Sequence, residues 1–166
     1  LKDCGHRSIA FIGGREGYSD HSSQFIDIRE KEVKRLLKAD DELRFHDDNV
    51  YIGDFDFDTG VNGVKKILEK DNSHDITAII CASDTIALGA LSALRSEQRE
   101  ISVIGFNDIA AAAYYNPPLT TVLLDTKYMA ILSVNTLLAM IENGISMPSK
   151  TIIGTKLIKR ESVYHI

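Results

Sequence analysis

The stretch from Ile76 to Asp108 constrains the fold more than any other. It opens with a continuous apolar run, Ala78-Ile79-Ile80-Cys81-Ala82, and breaks at Ser83 and Asp84. It then continues through a small-residue amphipathic segment to a second apolar run, Ile101, Val103 and Ile104, ending in Gly105-Phe106-Asn107-Asp108. That order is strand, helix, strand. Apolar runs without polar alternation suit strands buried on both faces, hence a parallel sheet covered by helices. Open sheets of this kind bind ligands beyond the carboxyl ends of their strands. Ser83, Asp84, Asn107 and Asp108 fall at two such ends and are the first candidates for a site. Ordinary chemistry accounts for the same residues: Ser83 or Asp84 can cap the following helix, and Asn107-Asp108 can turn the chain.

The rest of the chain repeats the theme. Ser8 to Ile12 reads as a buried strand leaving through Gly13-Gly14, and Arg15 to Ser23 is polar and turn-like. From there Phe25, Ile28, Val33, Leu36 and Leu37 follow helical spacing, which predicts a helix over 23–38. Asp40 to Asn49 reads as a solvated acidic loop. Val50 to Gly53 is a short strand, followed by a helix marked by Val61, Val64, Ile67 and Leu68 that Asp58 or Thr59 could cap, closed by Asn72 to Asp75. The central unit supplies a strand over 77–82, a helix over 84–96 and a strand over 101–105. This alternation is an α/β layered fold.

Beyond Asp108 the pattern changes. Ile109 to Ala113 has room for one helical turn, and Asn116-Pro117-Pro118 interrupts regular structure. Leu119 to Leu124 resumes as a strand or crossover. Asp125 to Asn143 carries two adjacent apolar faces on one helix, with Gly144 where a helix commonly stops, and 151–163 ends the chain as one or two strands.

With 166 residues, the chain has the size of one ordinary domain. Its 44% hydrophobic and 26% charged residues are those of a soluble globular protein without a membrane-spanning run. The opening residues show no apolar leader, which points to a cytoplasmic protein. A formal charge of -5 argues against a grip on phosphate backbones by this segment itself. Cys4 and Cys81 have no metal-ligand spacing and read as free thiols, and His6, His21, His46, His74 and His165 are scattered without paired spacing. No metal or other cofactor is expected, and neither a phosphate loop nor a nucleophile elbow is present.

Five fragments in order carry a resemblance: Leu1 to Gly14, Ala82 to Ala90, Ile101 to Asp108, Pro117 to Val122 and Lys159 to Ser162. Together they resemble the effector-binding region of LacI/GalR-family transcriptional repressors, and Asp27 to Glu30 looks closest to the branch of galactose-operon and evolved β-galactosidase repressors. The resemblance implies a periplasmic-binding-protein-like α/β fold, a parallel sheet flanked by helices, corresponding mainly to the family's C-terminal subdomain. It divides the chain into an effector-binding subdomain over 1–122, a crossover and helix over 123–150 that normally lie in the N-terminal subdomain, and a return strand and tail over 151–166. The DNA-binding headpiece lies outside the chain on this reading.

The resemblance also implies roles. Arg29 would donate hydrogen bonds to sugar hydroxyls, Phe55 would pack on the sugar's apolar face, and Ser83, with Asp84 behind it, matches an Asn-Asp or Ser-Asp position. Asn107 stands where the family has the first acid of Gly-Phe-Asp-Asp, replacing a charge-assisted acceptor with an amide. Glu32-Val33 replaces the Gly-Phe that follows the family's arginine. Without the resemblance, Arg29 reads first as a solvated helix residue paired with Glu30 or Glu32, and Phe55 and Phe57 read as core aromatics. Ala87, Leu88, Leu91 and Tyr115 would line a dimer interface. The implied function is a repressor region that senses a small-molecule effector, a sugar and specifically a galactoside, acts as a homodimer, touches operator DNA only through the headpiece, and contacts no membrane. Two other classes compete: a periplasmic-type sugar-binding protein for transport, and an α/β enzyme using Asp84 or Asp108 as acid or base.

Overall fold

The computed structural model describes residues 1–17, 24–71, 75–144 and 147–166. Its strands are β1 (Ile9–Gly14), β2 (Glu16–Gly17), β3 (Gln24–Phe25), β4 (Val50–Gly53), β5 (Ala78–Cys81), β6 (Ser102–Asn107), β7 (Thr120–Leu123) and β8 (Lys156–Ile158). Its α-helices are α1 (Ile28–Lys38), α2 (Phe57–Lys70), α3 (Asp84–Ser96) and α4 (Thr126–Asn143). Six strands form one sheet in the order β4-β1-β5-β6-β7-β8, and β2 pairs with β3 as a separate antiparallel ribbon. Every neighbour in the large sheet is parallel except β7 and β8, where Thr121 faces Ile158 and Leu123 faces Lys156.

The expected fold class holds, and the burial explains it. All six residues of β1 are buried, with Phe11 and Ile12 at zero exposure between β4 and β5. Ala78, Ile79 and Val103 are likewise inaccessible. α2 packs along β1 and β4, α3 along β5 and β6, and the two helices pack closely on each other. Two glycines allow that approach. A Cβ at Gly60 would collide with the Ile86 carbonyl, and one at Gly89 with the Phe57 carbonyl.

Several boundaries differ from the sequence reading for identifiable reasons. The helix expected over 23–38 begins at Ile28, and Ser23 lies outside the described residues. Phe25 belongs to β3, and Phe25, Ile28 and Leu36 are exposed, so of the expected apolar positions only Leu37 is buried and Val33 packs partly on the core; the other buried residue of α1 is Glu30. The residue that ends the extended chain is Asp27, whose side chain accepts from the Arg29 backbone N–H. α2 starts two or three residues earlier than a cap at Asp58 or Thr59 would allow, because Asp56 is the cap and accepts from the Thr59 N–H at 2.7 Å. The acidic loop buries Phe45 and ties its carboxylates to Lys2, Lys38 and Lys70. Ala110–Ala113 forms the single short turn expected, a 3-10 helix. In the tail β8 is the one strand among the described residues of 151–163, and beyond it Glu161 and Ser162 bond through their backbones to Pro118 and Val103. The predicted turn at Asn72 to Asp75, and His21 and His74, fall wholly or partly outside the described residues.

α4 forms where expected and carries Gly144 at its end with φ 62. It buries no residue. Ile131, Val134, Leu137, Leu138 and Ile141 are all at least half exposed. None of the described helices is long and apolar enough to cross a membrane.

Candidate effector site

The carboxyl edge of the parallel strands gathers the candidate residues. Arg29, in the first turn of α1, lies at the centre. Its Nη1 donates to the Ala82 carbonyl at the end of β5, at 2.7 Å. Its guanidinium carbon sits 5.0 Å from the centre of the Phe55 ring and 5.4 Å from that of Phe106. Arg29 therefore joins the end of β4 (Phe55), the end of β5 (Ala82, next to Ser83) and the end of β6 (Phe106, next to Asn107). The Phe55 ring can reach it because β1 ends in Gly14, where a Cβ would stand 2.7 Å from Phe55 Cγ.

Of the pairings open to Arg29, the structure takes neither Glu30 nor Glu32. Nε donates to Asp27 Oδ1 at 2.8 Å and Nη2 to Asp27 Oδ2 at 2.7 Å, a two-pronged fork. The Arg29 guanidinium holds the Asp27 carboxyl below the usual carboxylate range, against the opposing effect of burial. Glu30 is almost fully buried and receives the Arg15 fork at 3.0 and 2.8 Å, with Lys34 at 2.7 Å. These contacts, Arg15 first, hold the Glu30 carboxyl below the usual carboxylate range, against the opposing effect of burial. They also fix Arg15, which follows β1, to the back of α1. Glu32 pairs with Arg35.

Ser83 and Asp84 separate into two structural roles. Ser83 is the cap of α3, its Oγ accepting from the Ile86 N–H at 3.3 Å. Asp84 is inaccessible, with Oδ2 accepting from the Ile109 N–H at 2.8 Å and Oδ1 from the Thr121 hydroxyl. Both oxygens are engaged within the chain, so Asp84 does not present itself to a ligand; it binds the start of α3 to β7 and to the loop after β6. This corrects the expectation that it touches an effector. Asn107 ends β6 with φ 119, and Asp108 follows with φ 56, backbone values that amide and carboxylate residues tolerate better than most. Asp108 Oδ1 lies 2.7 Å from Arg160 Nη2, an ion pair short of an aligned hydrogen bond.

The Lys159 to Ser162 motif acts as a stitch. The Ser162 hydroxyl donates to the Val103 carbonyl at 2.6 Å and accepts from the Thr120 N–H at 2.8 Å, while Arg160 and Thr120 bond each other through backbone and hydroxyl. At the opposite edge His6 is buried between Thr77, Ser102 and the Tyr164 carbonyl, at 2.9–3.0 Å, and burial lowers its pKa. Cys81 is buried, which pushes its thiol far up from the ordinary range, so it is no nucleophile at neutral pH. No group of three metal-ligating side chains occurs among the described residues.

The expected dimer patch is half corrected. Ala87 is inaccessible and Leu91 6% exposed, so both belong to the core and neither can form a surface. Leu88 and Tyr115 are half-buried and joined by the Tyr115 hydroxyl on the Leu88 carbonyl at 3.1 Å. Tyr114, 89% exposed, is the surface aromatic at this place.

The sequence reading missed Asp27, Phe106 and the Arg15–Glu30 pair. Asp27 carried a signal: an aspartate one residue before a helix and two before an arginine can bond that arginine's backbone and side chain together. Nothing in the sequence alone marked Glu30 as buried.

Known proteins share this fold. Residues 1–163 match the model of the periplasmic binding protein-like domain. The ribose operon repressor of Haemophilus influenzae is 30% identical over all of this chain and 49% of its own length. The transcriptional regulator GalR of Lacticaseibacillus casei is 34% identical over 98% of the chain and 50% of its own. Among solved structures, a complex of the regulator CelR with cellobiose superposes with a TM-score of 0.81 at 29% identity, over 98% of this chain and 49% of that one. The Lac repressor bound to ONPG gives 0.78 at 25% identity, over 98% and 48%. The chain spans about half the length of the curated relatives it matches. It belongs to the periplasmic binding protein-like family, in the form carried by LacI/GalR-type transcriptional regulators.

Proposed function

We propose that this chain is the effector-sensing region of a DNA-binding transcriptional repressor, that its effector is a sugar, and that a galactoside is the first to test. The observation that carries the reading is Arg29, held by Asp27 and Ala82 between Phe55 and Phe106 at the carboxyl edge of the sheet. An aromatic ring beside a fixed multi-donor group is what a polyhydroxylated ring with one apolar face requires. The relatives' ligands point the same way, since one solved complex contains cellobiose and another ONPG. Ser83 and Asn107, next in the chain to Ala82 and Phe106, are the neutral donors and acceptors this reading assigns to the effector, while Asp84 positions the loop after β6. The chain transforms nothing: its role is to bias two states of the parent protein through differential effector affinity. That protein acts in the cytoplasm as a homodimer and meets operator DNA through a headpiece outside this chain.

Titration calorimetry of galactose, lactose, cellobiose and ribose against the protein carrying this chain tests the reading. Saturable binding should fall by at least about 10–100-fold in Arg29→Ala, the size of one hydrogen bond to a charged group. Silence across the panel, or an R29A variant that binds as well, would overturn it.

A further inference from the structure

We infer that Asp27 sets the charge class of the effector, making this a site for uncharged polyols that discriminates against sugar phosphates and sugar acids. The inference rests on the sugar-sensing reading and goes beyond it to the class of sugar.

A guanidinium has five N–H donors. Asp27 takes two of Arg29's, through Nε and Nη2, and the Ala82 carbonyl takes one from Nη1. One N–H remains on each terminal nitrogen. Two donors of that kind serve two oxygen acceptors, and neighbouring sugar hydroxyls are such a pair. What they do not provide is net positive charge. An unpaired arginine is a strong phosphate and carboxylate receptor because its fork matches those groups and nothing offsets its charge. Here the fork is filled from within the chain, and a carboxylate already lies 2.7 Å from the nitrogen that an incoming anion would need.

The surroundings reinforce this. Arg15, which follows β1 at this edge, also ends on a carboxylate, Glu30, which Lys34 shares, and Asp108 after β6 is paired with Arg160 reaching from the start of β7. Asp54 and Asp56 stand on either side of Phe55, and Asp84 is buried beneath the loop after β6. An anionic substituent would enter a region where cations are matched and carboxylates are in excess, and like charges brought together are penalised. Asp27 is the member of this set that touches Arg29 directly, so it is the residue whose removal should change the class of ligand accepted. It is also separable from folding. Asparagine caps a helix as well as aspartate, so Asp27→Asn keeps an oxygen for the Arg29 N–H while deleting the charge.

The test is calorimetry on the protein carrying this chain with matched probes: D-galactose, D-galacturonate and D-galactose 6-phosphate, and the same triplet for glucose. In the wild type the neutral member of a triplet should bind at least about tenfold more tightly than its anionic partners, the difference one charge-assisted contact carries. In D27N that ratio should shrink or invert, and in both proteins it should narrow at high ionic strength, as an electrostatic penalty must. A thermal melt of D27N confirms the fold, and Asp27→Ser, another capping residue without charge, repeats the measurement should D27N fail to fold. An anionic member that binds the wild type as tightly as the neutral one would overturn the inference while leaving sugar sensing intact. A ratio unchanged in folded D27N would overturn the role of Asp27. Absence of binding by every neutral and anionic probe would overturn the sugar-sensing reading and this inference with it.

Discussion

Replacing Asp84 tests the connection between the scaffold and the candidate site. The side chain is inaccessible, and its two oxygens serve two different parts of the chain: Thr121 on β7 and the Ile109 N–H in the loop after β6. Asp84→Ala deletes both acceptors at once. A buried donor left without a partner costs about 1–3 kcal/mol. Two of them, together with the lost charge in the first turn of α3, bring the expected destabilisation to about 4 kcal/mol. For a chain of this size each kcal/mol lowers the melting temperature by about 2–4 °C, so D84A should melt about 8–16 °C below wild type.

Asp84→Asn is the control that gives this number meaning. Its amide oxygen can accept from Ile109 while its NH2 donates to Thr121, whose hydroxyl rotates to accept. Both contacts survive at neutral strength, and the expected loss is about 1–2 kcal/mol. Urea unfolding followed by circular dichroism, with an unchanged slope against denaturant, measures both variants on one scale. D84A costing no more than D84N would show that the two accepted hydrogen bonds are not what Asp84 contributes, and the account of how the loop after β6 is held would fail.

Other expectations follow from single contacts. Gly89→Ala puts a methyl group against the Phe57 carbonyl in the crossing of α2 and α3, and should destabilise by about 1–3 kcal/mol in the same urea assay; a neutral result would mean the helices can part at no cost. His6 has a lowered pKa in the folded chain because burial disfavours its charge, with a smaller effect from the N-terminus and His165 and an opposing one from the Tyr164 carbonyl. The unfolded chain therefore binds the extra proton first: this contribution is complete above the unfolded value of about 6.5 and is lost as pH falls below it. His6→Asn should flatten that part of the stability–pH curve, and an unchanged slope would refute the assignment. The bare 166-residue chain should self-associate through α4, whose apolar side chains are unburied, and Val134→Lys with Ile141→Lys should reduce the effect; light scattering showing a monomer in both cases would contradict it.

The fold was legible because the strands are buried on both faces. Ile9 to Ile12, Ala78 to Cys81 and Ile101 to Ile104 are runs that only a covered parallel sheet accommodates, and α3 was found to the residue because Ser83 announces it and the apolar positions behind it enter the core. α1 was misplaced because amphipathic spacing reports a buried face only where one exists. Phe25 and Ile28 are exposed, whereas Glu30, a charged residue, is the one buried near the start of the helix. A burial decided by an ion pair with a residue on another element has no local pattern to read.

The same distinction explains the site. Arg29 and Phe55 were identified as residues, and the structure does bring them together, but the meaning of an arginine depends on what holds it. With its fork open, Arg29 would be an anion receptor; with Asp27 in the fork, it is an orienting donor of little net charge. Both readings are compatible with the string Asp27-Ile28-Arg29-Glu30, since either carboxylate could have taken the guanidinium. The backbone decides between them: the chain is extended at Asp27, with φ -62 and ψ 137, and turns into α1 immediately after. That bend brings the Asp27 carboxylate to both the N–H and the guanidinium of Arg29, while Glu30, one position further along the helix, faces Arg15. On the inference drawn above, the charge character of the site follows from a helix cap: the Asp27 carboxylate that caps α1 also fills the Arg29 fork with both of its oxygens, and its charge, not its capping oxygen alone, is what would set the ligands the arginine accepts.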